Sequence, residues 1–279
     1  MANPQTESET ETRESNGERG GAGVQALETG LSVLDALLGS LHPMALKTVA
    51  QAAGMHPAKA HRYLASFVKC GYVEQDDTGR YSLGRHALRM GLACLAQLDP
   101  LRLVTPVLDD ICASTGETVL AAVWGNHGPT VVQWRDSLRP VTVNVRPGSV
   151  MPLLSSATGR VFTAFLDPAV TASLLEAELK ARAALQPPRF PRDAAEVAQL
   201  REQVRASGIG SVHGDLLAGV DSVSTPVFDR DGRIVLAITA LGNAATFDAR
   251  LDGPVAAAIK AAAADLSQRL GHGLLAEPA

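Results

Sequence analysis

The sequence has few of the residues that would cross-link a chain or hold a metal. Only three of its 279 residues are cysteines, Cys70, Cys94 and Cys112, and no C-x-x-C pair or histidine at ligand spacing accompanies them. This pattern excludes a disulfide framework and an encoded zinc site, so we expect reduced, structural thiols and no metal or cofactor. No apolar run approaches the roughly 18 residues that a membrane-spanning helix needs. We therefore expect no membrane insertion.

The first residues of the chain lack hydrophobic character. The segment from Met1 to Gly23 contains five glutamates and two arginines, and it has no apolar core of the kind found in signal peptides. Such a segment has too little apolar surface to offset the entropy lost on folding. We expect residues 1–23 to be a disordered tail and the protein to be cytoplasmic.

Acidic residues are also unevenly distributed. The net charge of −4 argues against a uniformly basic nucleic-acid binder, and the length predicts about two domains. No Asp or Glu occurs between residues 36 and 73, however, where four Lys or Arg side chains give a local charge of +4. The chain therefore carries a basic patch within an acidic protein. Its charged and titratable members are Lys47, Lys59, Arg62, Lys69, His42, His56 and His61.

Helices joined by tight turns are predicted across this patch. Apolar residues recur every three or four positions, glycines end the first two periodic segments, and Pro57 is suited to the first position of a third helix. Two β-prone runs flank the turn at residues 76–79 and predict a hairpin. The predicted elements are helices over 24–38, 44–53 and 57–69 and strands over 72–75 and 80–83.

The third predicted helix has a basic polar face. A helix fits the major groove of B-DNA, and cations on its exposed face release counterions from the phosphates. Alone, such a face is equally typical of an ordinary solvated helix. The preceding turn, the lack of acids and the following hairpin favour DNA binding. The predicted contacts are Lys47, Thr48, Ala58, Lys59, His61, Arg62, Ser66, Arg80 and Tyr81; the last two would form a wing, although Tyr81 is equally suited to pack inward.

A second, mixed domain is predicted after a linking helix. The leucines at 88, 92, 95 and 98 of that helix form a stripe that one helix cannot bury alone, so we expect it to be buried across a dimer. The overall fold class is α+β. The predicted helices are 85–98, 101–114, 155–166, 194–207 and 255–270, and the predicted strands are 118–124, 130–137, 141–146, 222–228 and 233–241.

Three features of the second domain resemble enzyme motifs without matching them. The glycine-rich segment 208–214 lacks G-x-G-x-x-G spacing and follows a helix. Ser155 and Ser156 lack a surrounding G-x-S-x-G and are better suited to cap a helix. His213 and Asp215 have no identifiable nucleophile. We therefore predict no catalytic residue.

Binding of a small anion fits the same region better. A helix opening at residues 155–159 would present free N–H groups and hydroxyls to a carboxylate. Leu153, Leu154, Val223 and Trp134 could supply apolar walls, although Trp124 and Trp134 are equally credible as core residues.

Taken in order, these segments resemble the IclR family of transcriptional regulators. The first half carries ALETGLSVL (26–34), TVAQAAG (48–54), HRYL (61–64), GYVE (71–74) and YSLG (81–84), which are similar to that family's winged helix-turn-helix. The second half carries PLLSSATGR (152–160), GVDSVSTPV (219–227) and DGR (231–233), which look like its GAF-like α/β effector-binding domain. The resemblance covers about residues 24–271.

The resemblance implies an operator-binding regulator that works as a homodimer or homotetramer and responds to an organic acid or aromatic metabolite, without catalysis. It implies domains at 24–84 and 100–279 joined by a linker helix at 85–99. A metabolite-binding protein or enzyme with an incidental helix-turn-helix is the alternative. The effector pocket would comprise Leu154, Ser156, Ala157, Gly159, Asp215, Ser222, Ser224 and Thr239.

Two positions depart from the family pattern. Pro57, Ala58 and Lys59 stand where relatives often have Lys-Ser-Thr, so the operator contacts are expected to differ. Asp215 stands where relatives commonly have Glu. An acid there would repel a carboxylate unless it were neutralised or bridged by water, which leaves a phenolic or hydroxylated effector open.

Overall fold

The computed structural model describes residues 23–137, 143–182 and 190–274, which form two units that part between Ala93 and Cys94. Apart from Gly23, the predicted tail lies outside the described residues. The division falls within the linking helix, α4 (Arg85–Gln97), on which no residue is fully buried. The predicted linker helix is therefore present.

The first unit is a three-helix bundle with a β-hairpin. It comprises α1 (Gln25–Leu38), α2 (Leu46–Ala52), α3 (Pro57–Lys69), β1 (Val73–Gln75) and β2 (Tyr81–Leu83). Gly54 adopts a left-handed φ of 63° in the turn between α2 and α3, a conformation that favours glycine. The hairpin strands pair antiparallel, and Met44 forms a further bridge to Tyr81. The predicted helix-turn-helix and hairpin are confirmed.

One predicted DNA contact belongs to the core of this unit. Tyr81 is only 4% exposed and packs in a cluster with Val33, Leu37 and Leu64. Its backbone N–H and C=O both bond to Met44, at 2.8 Å each. The bridge to Met44 places Tyr81 in the interior of a small sheet, so the prediction that it touches DNA is wrong.

The second unit is built on a five-stranded antiparallel sheet with the order β4-β3-β7-β6-β5. Its elements are α5 (Pro100–Thr115), β3 (Thr118–Gly125), β4 (Gly128–Arg135), α6 (Ala157–Phe165), α7 (Pro168–Arg182), α8 (Ala194–Ser207), β5 (Gly210–His213), β6 (Val220–Phe228), β7 (Ile234–Asn243) and α9 (Pro254–Arg269). The α+β class is confirmed.

Helices cover both faces of this sheet. On one face, Leu108 of α5 and Ile259 of α9 pack with Val223 and Ile238 of the sheet. On the other, Val161 and Phe162 of α6 pack with sheet residues such as Leu120 and Ala237. Along each strand, residues that face one side alternate with residues that face the other, because successive side chains point in opposite directions. In the described ranges, no helix combines the length and apolarity that crossing a bilayer requires.

The structure corrects the prediction of a strand at 141–146. Residues 141 and 142 lie outside the described residues, and residues 143–146 are not a strand. The contact with β4 lies further along, where Val131 donates to Ser149 and Met151 donates to Pro129. Valines at every second position, 141, 143 and 145, have the spacing expected for a strand. Val143 and Val145 instead pack as loop residues on the α6 side of the sheet.

Two elements were not predicted. The helix α7 has a weak apolar stripe, since Thr171 and Leu175 are its fully buried residues. The strand β5 lies in the glycine-rich segment 208–214, where no strand was predicted. A Cβ at Gly210 would come within 2.7 Å of the Ala157 carbonyl oxygen, so this glycine permits the close packing of β5 on α6.

Close packing is tighter still at Gly159, within α6. A Cβ there would lie 1.9 Å from the Pro152 carbonyl oxygen and 2.6 Å from the Leu153 Cα, both fixed backbone atoms. The first turn of α6 therefore lies directly against the segment that precedes it.

We predict that Gly159→Ala lowers the unfolding free energy of the second unit by more than about 3 kcal/mol, because backbone must move to relieve the clash. Gly91 of α4 is the matched control, since a Cβ there meets nothing within 4 Å. Gly91→Ala should be neutral or raise stability by about 0.5–1 kcal/mol. Denaturant unfolding measures both, and equal effects of the two substitutions would contradict the proposed packing constraint.

Candidate functional site

The first candidate site is the exposed side of α3. Its outward residues include Lys59, His61, Arg62 and Ser66, and Ala58 is exposed at the start of the helix. Lys47 and Thr48 are exposed in the first turn of α2, and Arg80 is exposed on the hairpin. In the described part of the chain, no salt bridge engages the side chains of Lys47, Lys59, Arg62 or Arg80. These cations are available to an anionic partner.

A histidine fixes where this helix begins. The Nδ1 of His56 accepts a hydrogen bond from the Ala58 N–H at 3.3 Å, and Pro57 occupies the first helical position. The cap satisfies a donor that the helix itself cannot pair. The sequence alone did not indicate this cap, because histidine is not among the preferred capping residues.

The hairpin tip is ordered by a carboxylate. Asp76 accepts hydrogen bonds from the Thr78 hydroxyl at 2.7 Å and from the N–H groups of Thr78 and Arg80 at 2.9 Å each. These bonds, the one from the Thr78 side chain foremost, hold the pKa of Asp76 below its usual value. The tip is thus a defined turn that presents Arg80 to solvent.

The second candidate site is a cavity of about 30 Å³ between the sheet, the start of α6 and two loops. Four of the predicted pocket residues line it: Ser156, Ala157, Ser222 and Thr239. The other predicted pocket residues, Leu154, Gly159, Asp215 and Ser224, do not. Most of the remaining lining is apolar and includes Leu120, Met151, Leu216, Leu217, Val220 and Leu241.

The predicted apolar walls lie elsewhere. Leu153 and Leu154 are buried against α7 and α8, and Val223 faces the opposite side of the sheet, towards α5 and α9. Trp134 donates its indole N–H to Asp136 at 2.6 Å. The actual walls come from strands and loops that are far apart in the sequence, and no short motif encodes their convergence.

The start of α6 supplies the polar edge of the cavity. As predicted, a serine caps the helix: the Ser156 hydroxyl accepts from the Gly159 N–H at 2.9 Å and donates to the Pro152 carbonyl at 2.6 Å. Within the residues that the structure describes, no acceptor pairs the backbone N–H of Ala157 or Thr158, and both residues are buried. Buried N–H groups are rarely left unpaired in folded proteins.

Three buried hydroxyls form a directed chain behind this edge. Thr239 donates to Ser224 at 2.8 Å, and Ser224 donates to the Ile238 carbonyl at 3.2 Å. Because the Thr239 proton is used in this way, Thr158 must be the donor in its 2.7 Å contact with Thr239. Neither Thr158 nor Thr239 therefore retains a hydroxyl proton for a ligand. Over the described residues, the Ser222 hydroxyl has no partner and is free to donate.

Asp215 is neutralised outside the cavity. Arg160 donates to the Asp215 carboxylate at 2.8 Å, and the two side chains are only 13% and 9% exposed. Burial lowers the pKa of Arg160, and the Asp215 charge opposes that shift. The acid that was expected to repel a carboxylate is thus paired with a cation.

The other enzyme-like residues do not assemble into a recognisable site. His213 is exposed and contacts Asp221 at 3.2 Å rather than Asp215. Across residues 23–137, 143–182 and 190–274, no three His, Cys, Asp or Glu side chains converge to hold a metal ion.

Comparisons with known proteins match both halves of the chain. Residues 26–77 match a sequence family described as the IclR helix-turn-helix domain, and residues 92–268 match one described as Bacterial transcriptional regulator IclR C-terminal. The chain is 30% identical over 260 residues to the glycerol operon regulatory protein of Streptomyces coelicolor, covering 90% of this chain and 98% of that protein.

Solved structures show the same architecture. HmgR of Pseudomonas aeruginosa is 41% identical, with a TM-score of 0.80 over 90% of this chain and 99% of its own. An IclR homologue of Microbacterium hydrocarbonoxydans, solved in complex with 4-hydroxybenzoate, has 18% identity and a TM-score of 0.52 over 88% of this chain and 98% of its own. The second of these demonstrates similarity of fold alone.

We predict that Thr239→Val lowers the unfolding free energy by about 1–3 kcal/mol, because it leaves the hydroxyls of Thr158 and Ser224 without their shared partner. Thr163→Val is the control, since the buried Thr163 hydroxyl has no partner among the described residues. That substitution should be neutral or stabilising. Denaturant titrations of the two variants compare them directly, and a neutral Thr239→Val would disprove the hydroxyl chain.

Proposed function

The chain belongs to the IclR family of transcriptional regulators, with a helix-turn-helix DNA-binding region and an effector-binding C-terminal domain. On this premise we propose that α3 reads the operator and that the cavity beside α6 takes a small monocarboxylic acid with an apolar body. The two unpaired N–H groups at the start of α6 are the observation that carries the effector assignment.

The proposed DNA contacts divide into two kinds. Lys59 and Arg62 lie on the exposed side of α3 and would reach base edges or phosphates in the major groove. Lys47 and Thr48 would bind a phosphate, and Arg80 would contact the backbone or minor groove. Ala58, His61 and Ser66 complete the proposed interface.

The proposed effector class follows from the donors and acceptors of the cavity. Its donors include the Ala157 N–H, the Thr158 N–H and the Ser222 hydroxyl, and none of its lining side chains is charged. A helix N-terminus carries a partial positive charge, which favours a carboxylate over a neutral group. The 4-hydroxybenzoate bound to the Microbacterium homologue supports an aromatic acid as one candidate.

The proposed assembly is a homodimer or homotetramer acting in the cytoplasm, where operator DNA lies. Leu88 and Leu92 lie on one side of α4 and are 64% and 55% exposed. A second copy would cover this apolar surface and would supply a second α3 for a successive major groove. Acid binding would then shift the equilibrium between two arrangements of the domains and change operator affinity.

We predict that Lys59→Ala and Arg62→Ala weaken binding to a duplex selected from a random library by about tenfold or more. Each lost phosphate contact should also reduce the slope of log affinity against log salt by about one. The control is Lys180→Ala on α7, which removes one exposed charge from the second unit and should change neither quantity. Wild-type affinity and slope in both α3 variants would overturn the assignment of α3.

We predict that a thermal-shift screen of small aromatic and aliphatic acids yields stabilising ligands. At 100 times its dissociation constant, a bound acid adds about 2.7 kcal/mol of stability. The corresponding neutral amides should stabilise the protein far less, because they lack the negative charge that the helix N-terminus favours. Equal shifts for an acid and its amide would show that the cavity does not select a carboxylate.

A further inference from the structure

One wall of the effector cavity is a short loop between β5 and β6. Leu216 and Leu217 of this loop line the cavity, and Gly214 and Gly219 bound it with left-handed φ values of 66° and 79°. Few residues other than glycine adopt this conformation readily. The loop is therefore a defined segment, residues 214–219, with a conformationally permissive residue at each end.

The cavity behind this loop is small. Its volume of about 30 Å³ accommodates one or two water molecules rather than an aromatic acid. The sheet and α6 form the rigid walls, because both are held by backbone hydrogen bonds and packed cores. Entry of an acid therefore requires the lining to move, and the loop residues are the part of the lining that lies outside the sheet and α6.

Arg160 connects the loop to α6. Its guanidinium donates to the Asp215 carboxylate at 2.8 Å and to the Ser211 carbonyl, and its Nε donates to the Leu154 carbonyl at 2.8 Å. The planar fork of arginine allows all three bonds at once, which lysine cannot reproduce. One of these bonds goes to Asp215 in the loop, whereas the other two go to Ser211 on β5 and to the segment that precedes α6.

The α6 side of this connection is itself anchored. The Glu178 carboxylate on α7 accepts from the Leu153 N–H at 2.7 Å and from the Leu154 N–H at 3.2 Å. The Leu154 carbonyl that binds Arg160 is therefore part of a fixed turn. If the loop moved, the bond from Arg160 to Asp215 would break first, because Asp215 moves with the loop while Ser211 stays in the sheet on β5.

We propose that Arg160 is a positioning residue that latches the 214–219 loop over the effector cavity through Asp215. The latch sets how often the cavity opens and how fast a bound acid leaves. This inference rests on the proposed function for the cavity's occupant, but the latch itself exists in the free protein and is testable without an effector.

The test is hydrogen exchange in the free, full-length protein, read at the amides of Gly214 and Val220. Both are protected in the closed loop, since Gly214 donates to Val220 and Val220 donates to Leu217, each at 3.1 Å. Arg160→Met should speed their exchange relative to the Ile238 amide by about tenfold or more, the factor that one charge-assisted hydrogen bond contributes. Arg160→Lys should restore part of the protection.

Two further variants separate the latch from general loss of stability. Asp215→Asn keeps an acceptor but removes the charge, so it should speed exchange at Gly214 and Val220 by a smaller factor. Arg205→Met removes an arginine that donates to the Ala164 carbonyl at 2.6 Å, away from the loop, and should leave these amides unchanged relative to Ile238. Uniform acceleration of all amides in Arg160→Met, with no selective change in Asp215→Asn, would overturn the latch.

A second measurement uses 4-hydroxybenzoate as the probe in stopped-flow binding. If Arg160 latches the loop, the acid should dissociate from the Arg160→Met variant several-fold faster than from wild type. Unchanged rates in this variant would contradict the proposal. Failure of wild type to bind any acid would count against the proposed effector site, whereas selective exchange at Gly214 and Val220 would still establish the latch.

Discussion

The effector domain depends on one constraint: the first turn of α6 is buried with backbone donors that the fold does not pair. Ala157 and Thr158 are almost fully inaccessible, and their N–H groups have no acceptor within the described residues. Burying an unpaired N–H costs free energy that a bound acceptor would recover. Gly159 and the Ser156 cap hold this turn against the preceding segment, so the donors remain at the cavity edge.

The two proposed sites use opposite physical strategies. On α3, cations such as Lys59 and Arg62 remain exposed and unpaired, which suits a partner with many negative charges. The cavity, by contrast, has no charged lining side chain: Asp215 lies outside it and is paired with Arg160, and the hydroxyl protons of Thr158 and Thr239 are used within the protein. A site with a few fixed donors in apolar surroundings selects by shape and by a single anionic group.

Local signals in the sequence were sufficient to predict many of the helices and strands. The bounds of α3 were predicted to the residue because Pro57 marks its start and the apolar stripe ends near Lys69. The bounds of α8 (Ala194–Ser207) were also predicted, since Asp193 caps it and Gly208 follows it in a left-handed conformation. The strand predicted at 141–146 was wrong, and the burial of Tyr81 was left open, because both depend on pairing with distant segments. Leu216 and Met151 reach the cavity only through tertiary packing.

The most direct test of this account is a crystal structure of the protein with its most stabilising carboxylic acid bound. The account predicts the carboxylate within about 3.2 Å of the Ala157 and Thr158 nitrogens, which is ordinary hydrogen-bonding distance. It also predicts the apolar body of the acid against Leu216 and Leu217. A carboxylate bound instead to Arg160 or outside this cavity, with both N–H groups still unpaired, would contradict it.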